Sequence, residues 1–264
     1  YDTGALSPTV IDEERAAGMP DALIRQEYLC DWQAALVGSV WGDLLEDLGK
    51  RGGMEPWTFA ADEVFTSWDL GISDATAIWF WRVRDNGLEF FDHYENHGKP
   101  ISHYADEVER RGYSYVKHWL PHDAKARTLA TGTSVLEQLQ KRFGIGKVTI
   151  GPRMALLDGI QAGRWLLQQA DTRFHPRCGK GLDALRAYHY EYDEDSKAYS
   201  AKPEHDWASN SADSFRYAAV VAKLSGIYKP QPAPAAKVLD LRPHRYTLND
   251  LWDAHERRPR QRRI

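Results

Sequence analysis

Cysteine is nearly missing from this sequence. Its 264 residues hold two, Cys30 and Cys178, too few for a disulfide framework and too far apart for a Cys-x-x-Cys metal motif. The scarcity argues for a reducing, intracellular setting. Long apolar runs are lacking too. The longest, such as residues 75–81, fall far short of the roughly 20 residues a membrane helix needs, so no membrane partner is expected. The opening residues Tyr1, Asp2, Thr3, Gly4, Ala5 and Leu6 carry no methionine, basic region or apolar region, so they do not read as a secretory signal. They read as the start of a piece cut from a longer chain. A surplus of positive charge is also absent. The net charge is −4 and the pI about 6.2, which weighs against a protein that coats nucleic acid, because phosphate contacts need concentrated Lys and Arg. A local basic rim and a cation-binding carboxylate cluster remain compatible with that total. Finally, no phosphate loop of the G-x-x-x-x-G-K-[ST] type is present: Lys50, Lys147 and Lys180 each follow a glycine, but none has the second glycine five positions earlier.

What is present is core material. Hydrophobic residues make up 42% and aromatics 12% of the chain, enough for one large domain or a domain with terminal extensions. Residues 11–47 carry apolar side chains near helical spacing at Leu23, Tyr28, Leu29, Trp32, Leu36 and Val40. A glycine-rich connection follows at residues 49–56. Residues 64–70, 75–84 and 88–94 then read as three strands, with Asn86-Gly87 suited to a tight antiparallel turn. Residues 102–111 read as a helix, and 113–120 as a strand ending before Pro121. Further on come a helix at 134–143, a short strand at 148–150, a helix at 154–169, a polar stretch up to Trp207, and a helix at 209–224 with Ser or Asn as capping choices. Pro230, Pro232 and Pro234 mark a linker, and Arg257, Arg258, Arg260, Arg262 and Arg263 a basic tail. The expected organisation is therefore an entry segment at 1–55, an α/β domain with a mixed sheet at 56–228, and a linker with tail at 229–264.

Three aspartates fall where strands end or a helix begins: Asp69, Asp123 and Asp213. Taken singly, Asp123 reads as a turn residue and Asp213 as a complement to a helix dipole worth about 0.3–1 kcal/mol. Asp69 is harder to dismiss, because a buried carboxylate in an apolar strand is costly unless paired or bound to metal. Together the three can converge on one sheet edge, where ligands of α/β folds gather. Carboxylate oxygens suit Mg²⁺ or Mn²⁺, and no Cys/His framework for zinc accompanies them. The spacing of His93 and His97, and of His118 and His122, resembles that of helix-borne metal ligands, but strand positions favour ordinary hydrogen bonding. His122, next to Asp123, is a candidate to touch a metal-bound water. Lys125 and Arg127 are candidates for a phosphate-contacting rim. Trp68, Trp79, Trp81, Trp119 and Trp165 read as packing residues.

These residues also carry a resemblance. Gln26-Glu27-Tyr28-Leu29-Cys30, Trp68-Asp69-Leu70-Gly71 with Asp74-Ala75-Thr76-Ala77, Leu120-Pro121-His122-Asp123-Ala124, and His205-Asp206-Trp207 with Ser211-Ala212-Asp213-Ser214-Phe215-Arg216-Tyr217 are similar, in order and spacing, to the C-terminal nuclease domain of phage terminase large subunits. The resemblance implies a ribonuclease H-like fold: a mixed central sheet with antiparallel first three strands and flanking helices. It implies catalytic, metal-holding acids at Asp69, Asp123 and Asp213, with Asp74 and Asp206 in supporting roles. The implied activity is endonucleolytic cutting of double-stranded, concatemeric phage DNA with two Mg²⁺ or Mn²⁺, in the host cytoplasm at the procapsid portal. The implied partners are DNA, the portal protein, the terminase small subunit and an ATPase motor of the same full-length chain, which the missing phosphate loop leaves outside this sequence. The acidic total predicts weak intrinsic DNA affinity. Two other readings start from the same acids: a junction resolvase or transposase-type nuclease of the same fold, and a docking domain without catalysis that binds portal or small subunit.

Overall fold

The computed structural model describes residues 8–16, 24, 28, 38–71, 74–85, 87–127, 132–193 and 198–227. All belong to one compact unit, Tyr1–Pro230. The proline linker, the arginine tail, Cys30 and most of the 26–30 motif lie outside the described residues.

The chain order is α1 (Pro8–Ala16), α2 (Gly42–Lys50), β1 (Val64–Asp69), β2 (Ala75–Arg84), β3 (Gly87–His97), α3 (Ile101–Arg110) and β4 (Tyr115–Leu120). A 3₁₀ turn (His122–Lys125) precedes α4 (Val135–Phe143), β5 (Val148–Ile150), α5 (Leu156–Leu167) and β6 (Arg173–Phe174). A second 3₁₀ turn (Pro176–Cys178) leads to α6 (Gly179–Ala187), the hairpin β7 (Tyr190–Asp193) and β8 (Ala198–Pro203), and α7 (Ser209–Leu224). The main sheet has the order β5-β4-β1-β2-β3-β6. Strand β2 is antiparallel to both β1 and β3, while β4 and β5 run parallel to β1, and β6 runs parallel to β3. This is the expected mixed α/β sheet of ribonuclease H-like order.

Side-chain alternation along the strands builds two cores, one on each face. Phe65, Trp79, Trp81 and Phe90 point into a core shared with α2, α5, α6 and α7. Val64, Trp68, Ile78, Phe80 and Phe91 point into the other, closed by α3 and α4. Burial on both faces explains why β2 reads as an almost unbroken apolar run rather than an alternating one. Trp68, Trp79 and Trp81 are fully buried, as packing residues should be. Helix α4 opens on a capping box: Ser134 Oγ accepts from the Glu137 N–H at 3.1 Å, and Glu137 accepts from the Ser134 N–H at 2.8 Å. Cys178 is a buried free thiol within the first core. No described helix is long and apolar enough to cross a membrane.

Three local readings change. The β2–β3 hairpin is tight, with Arg84 paired to Gly87, and Asn86 lies outside the described residues. Yet Gly87 is not among the glycines with positive φ. Its small size serves close approach instead, since a Cβ there would sit 2.3 Å from the Thr172 nitrogen. Helix α7 is not capped by Ser or Asn: the cap is Ala208. Ser209 Oγ turns back to donate to the Asp206 carbonyl at 2.7 Å, and Asp206 Oδ1 accepts from the Ala208 N–H at 2.9 Å. The polar stretch before Trp207 contains the β7–β8 hairpin, where residues 190–203 include no Val, Ile or Thr to announce a strand.

Candidate active site

The site follows from strand direction. Because β4 runs parallel to β1, with Ser67 opposite Trp119, both strands deliver their C-terminal ends to the same edge of the sheet. Asp69 is the last residue of β1, paired across to Ala77 of β2. It shares the alternation of Phe65, so it lies on the face covered by α7. Strand β4 ends at Leu120, extended Pro121 turns the chain, and the following 3₁₀ turn carries Asp123 at the surface while Ala124 is buried beneath it.

Two hydrogen bonds fix α7 against the sheet. Ser214 Oγ donates to the buried Ser67 carbonyl at 2.7 Å, and Trp79 Nε1 donates to the Ser211 carbonyl at 2.8 Å. Asp213 lies between these anchors, half-buried, on the helix that crosses β1 two residues before Asp69. A polar line runs beneath it. Ser211 Oγ donates to Glu95 and is 2.8 Å from His93 Nε2, which must then carry the proton. Burial, reinforced by Arg111 and Lys180, pushes His93 down to about 3, so it acts here as a neutral donor. His118 is likewise hydrogen-bonded, Nδ1 to Thr66 Oγ1 at 2.8 Å, and is pushed down to about 3 by burial and then Lys147.

Electrostatics identify the convergence. The Asp69 carboxyl is held well above the ordinary carboxylate range, first by burial, then by the charges of Asp213 and Asp123, with Arg216 opposing and Asp74 adding a smaller push. The three acids therefore share one field. Tyr217, one turn along α7 from Asp213, is raised to about 12 by burial, against Arg216 and with Asp69, Asp213 and Asp123 adding to the rise. Arg216 is the cation of this edge: its Nε donates to Asp213 Oδ1 at 3.0 Å, and its side chain is 9% exposed. It reaches that position through space left by Gly159 of α5, where a Cβ would lie 2.6 Å from Arg216 Cδ. Sequence reasoning quoted Arg216 within a motif but gave it no role, although the i, i+3 spacing from Asp213 marks two residues that meet on a helix. The Glu95–Ser211–His93 line was missed as well. Its available signal was the i, i+2 spacing that puts His93 and Glu95 on one side of β3.

The remaining candidates are more scattered. Asp74 is exposed and lies 3.4 Å from His205 Nε2. Asp206 sits in the turn before α7, close to His189 and Glu204. His122 and Lys125 are exposed on the 3₁₀ turn with Asp123. Arg127 is engaged by Glu137 at 2.6 Å, with its side chain 69% exposed.

An edge of oxygen donors that repel one another, one of them desolvated, matches what a hard divalent cation needs: negative charge gathered in advance and few competing cations. The oxygen donors of Asp69, Asp123 and Asp213 suit Mg²⁺ or Mn²⁺ in chemical type, although they are not gathered within 4.8 Å of one another as the ligand atoms of His189, Glu204 and Asp206 are.

Comparisons with known proteins agree with this architecture. The chain resembles the large terminase of a thermophilic bacteriophage, with 17% identity and a TM-score of 0.54, over 86% of this chain and 54% of that one. It spans about half the length of that relative. It is also similar to the large terminase nuclease domain of bacteriophage SPP1 with bound Mn, at 18% identity and a TM-score of 0.46, covering 61% of this chain and 86% of that one. For the large terminase nuclease of thermophilic phage G20c with bound magnesium the identity is 14% and the TM-score 0.47, covering 70% and 97% of the two chains. No curated protein matches the chain by sequence. The family model described as the terminase RNaseH-like domain matches residues 66–212, a span that runs from within β1 through β8, holds Asp69 and Asp123, and stops one residue before Asp213. The chain belongs to the terminase RNaseH-like domain family.

Proposed function

We propose that this chain is the nuclease of a phage DNA-packaging terminase, an endodeoxyribonuclease that cuts double-stranded, concatemeric DNA with two Mg²⁺ or Mn²⁺. The observation that carries the reading is the position of Asp69 at the end of β1, where burial and then the charges of Asp213 and Asp123 hold its carboxyl well above the ordinary range. Such crowding costs stability in the bare protein and is relieved when divalent cations bind. In this reading Asp69, Asp123 and Asp213 would hold the ions. Bound there, the ions would supply an activated water and charge stabilisation at the leaving 3′ oxygen.

The chain's own groups have separate tasks. Arg216 orients the Asp213 carboxylate through its 3.0 Å contact and is a positioning residue. Ser214 and Trp79, by tying α7 to the sheet, keep Asp213 in reach of Asp69. Lys125 lies on the same turn as Asp123 and serves as a phosphate contact at the rim. Arg127 joins it only by leaving Glu137. Asp74 and His122 act as supporting groups at the opening.

We further assign residues 56–228 to the nuclease, 1–55 to the connection from an ATPase motor, and 229–264 to a linker and basic tail. DNA, portal protein and terminase small subunit are the proposed partners, in the host cytoplasm at the procapsid portal. The acidic total implies that much of the grip on DNA comes from those partners. Family membership favours this reading over a junction resolvase.

The test is cleavage of supercoiled plasmid by the purified chain with Mn²⁺, with Mg²⁺ and with EDTA, beside Asp69→Asn. Metal-dependent nicking and linearisation should appear and fall to the EDTA level in the variant. Undiminished cutting by Asp69→Asn would sink the proposal.

A further inference from the structure

A second group of metal-ligand side chains includes none of the three acids. Among the described residues, His189, Glu204 and Asp206 each offer one ligand atom, and these atoms lie within 4.8 Å of one another. They come from three adjoining places: His189 directly before β7, Glu204 directly after β8, and Asp206 in the turn that opens α7. The Glu204 N–H donates to the His189 carbonyl at 2.9 Å, so the backbone itself brings the ends of the hairpin together.

The imidazole settles its own tautomer. His189 Nδ1 is 2.7 Å from the Ala187 carbonyl oxygen, which can only accept, so Nδ1 carries the hydrogen. A backbone carbonyl on one ring nitrogen is the usual outer support of a metal-bound histidine, and it leaves Nε2 as the ligand. Nε2 lies 3.2 Å from Glu204 Oε2. In the neutral ring, that is a lone pair facing a carboxylate oxygen, with a second carboxylate nearby. A positive charge between them, proton or metal ion, would relieve that repulsion.

A proton on Nε2 would satisfy Glu204 but would add nothing to Asp206, whose other partner is the Ala208 N–H. A divalent cation answers all three. With metal–ligand bonds of about 2.0–2.1 Å, neighbouring ligand atoms of a tetrahedral zinc site are about 3.3 Å apart, which the 3.2 Å separation matches. One oxygen of Asp206 is occupied by the Ala208 N–H, and the other is available. Partial exposure, 27% for the His189 side chain and 45% for Glu204, leaves a place for water as the fourth ligand. One imidazole with two carboxylates selects a borderline transition metal over Mg²⁺ or Ca²⁺, which prefer oxygen alone.

We propose that His189, Glu204 and Asp206 form a second metal site, of the Zn²⁺ class and structural in role, that clasps both ends of the β7–β8 hairpin to the start of α7. It is separate from the aspartate edge in ligands and in metal preference.

The experiment uses the whole 264-residue chain carrying Asp69→Asn, so that the proposed nuclease ions are set aside and failure here says nothing about them. After stripping with EDTA, Zn²⁺ alone is titrated by calorimetry into this protein and into the same protein with His189→Gln or Glu204→Gln added. One Zn²⁺ per chain should bind, raising the melting temperature, and each added change should weaken it by more than about tenfold. Long-range ¹H–¹⁵N spectra should show the His189 Nε2 resonance move on Zn²⁺ addition. Equal Zn²⁺ affinity in all three proteins, or a stationary Nε2 resonance while Zn²⁺ binds, overturns the proposal. So does an absence of Zn²⁺ binding, which would leave an imidazolium–carboxylate pair only. Glu204 is exposed enough for an amide to be accommodated there, so misfolding of the His189 variant alone leaves the test intact.

Discussion

Glu89 and Asp69 are both acids set inside apolar strands of one sheet, and their surroundings are opposite. Glu89 is fully buried and is held by Arg82 and Arg173, with Arg84 at 3.5 Å. Asp69 meets Asp213, Asp123 and Asp74, with Arg216 as the opposing cation. A buried carboxylate surrounded by guanidinium groups has what it needs within the chain. One placed among other carboxylates is incomplete until a cation arrives. The difference separates a structural acid from a functional one more sharply than burial does.

The comparison breaks most visibly at Glu89. Replacing it with Ala leaves three arginines without their shared partner. Their side chains retain 18%, 45% and 32% exposure for Arg82, Arg84 and Arg173, so the expected cost is about 3 kcal/mol, the low end for breaking a buried pair. Chemical denaturation should report that loss, while cutting per folded molecule persists. A variant as stable as the parent would mean that Glu89 is not the structural acid described.

Asp69→Asn should act in the reverse direction on stability. The ordinary carboxyl titrates near 3.8 and Asp69 in the fold well above it. Below about 3.8 both states keep the proton and nothing is lost. As pH rises, the unfolded chain ionises first, so the metal-free fold loses stability up to the folded value and stays penalised beyond it. Asparagine removes that penalty. In EDTA at neutral pH the variant should melt higher, by about 2–4 °C for each kcal/mol released, and the two melting curves should merge near pH 4. A variant that melts lower at neutral pH would show that Asp69 is satisfied without metal.

The smallest expected effect sharpens the same contrast. Arg216→Met keeps bulk in the space beside Gly159 but removes the one charge that lowers Asp69. The Asp69 carboxyl, followed by ¹³C NMR without metal, should then titrate at higher pH still. An unchanged titration would remove Arg216 from the site's electrostatics.

Much of the fold is legible in apolar spacing. Residues 75–84, 148–150 and 209–224 are readable as elements and coincide with β2, β5 and α7, because two-sided burial and a packed helix leave strong apolar signals. The β7–β8 hairpin leaves none, since it buries too little to need β-branched residues. The places of Asp69, Asp123 and Asp213, at a strand end, in the turn after a strand and on a helix, are legible in the sequence, and the charges of the latter two act on Asp69. The fate of Glu89 is not: Arg173 lies 84 positions away, brought in only when β6 joins β3. His189 and Glu204 are similarly silent, because the hairpin that joins them offers only the alternation of Tyr190, Glu191 and Tyr192 as a strand signal and no β-branched residue.

Gly159 touches none of the acids, yet the mould in which Arg216 rests is the absence of its side chain. Tolerance to substitution around this edge is therefore set partly on a different helix, by a residue whose contribution is vacancy. A single methyl group added there would act on the carboxylates through a lever, displacing the guanidinium first and the balance of charge second. Such a position would escape any search that looks only for chemical groups, and it couples α5 to α7 through shape alone.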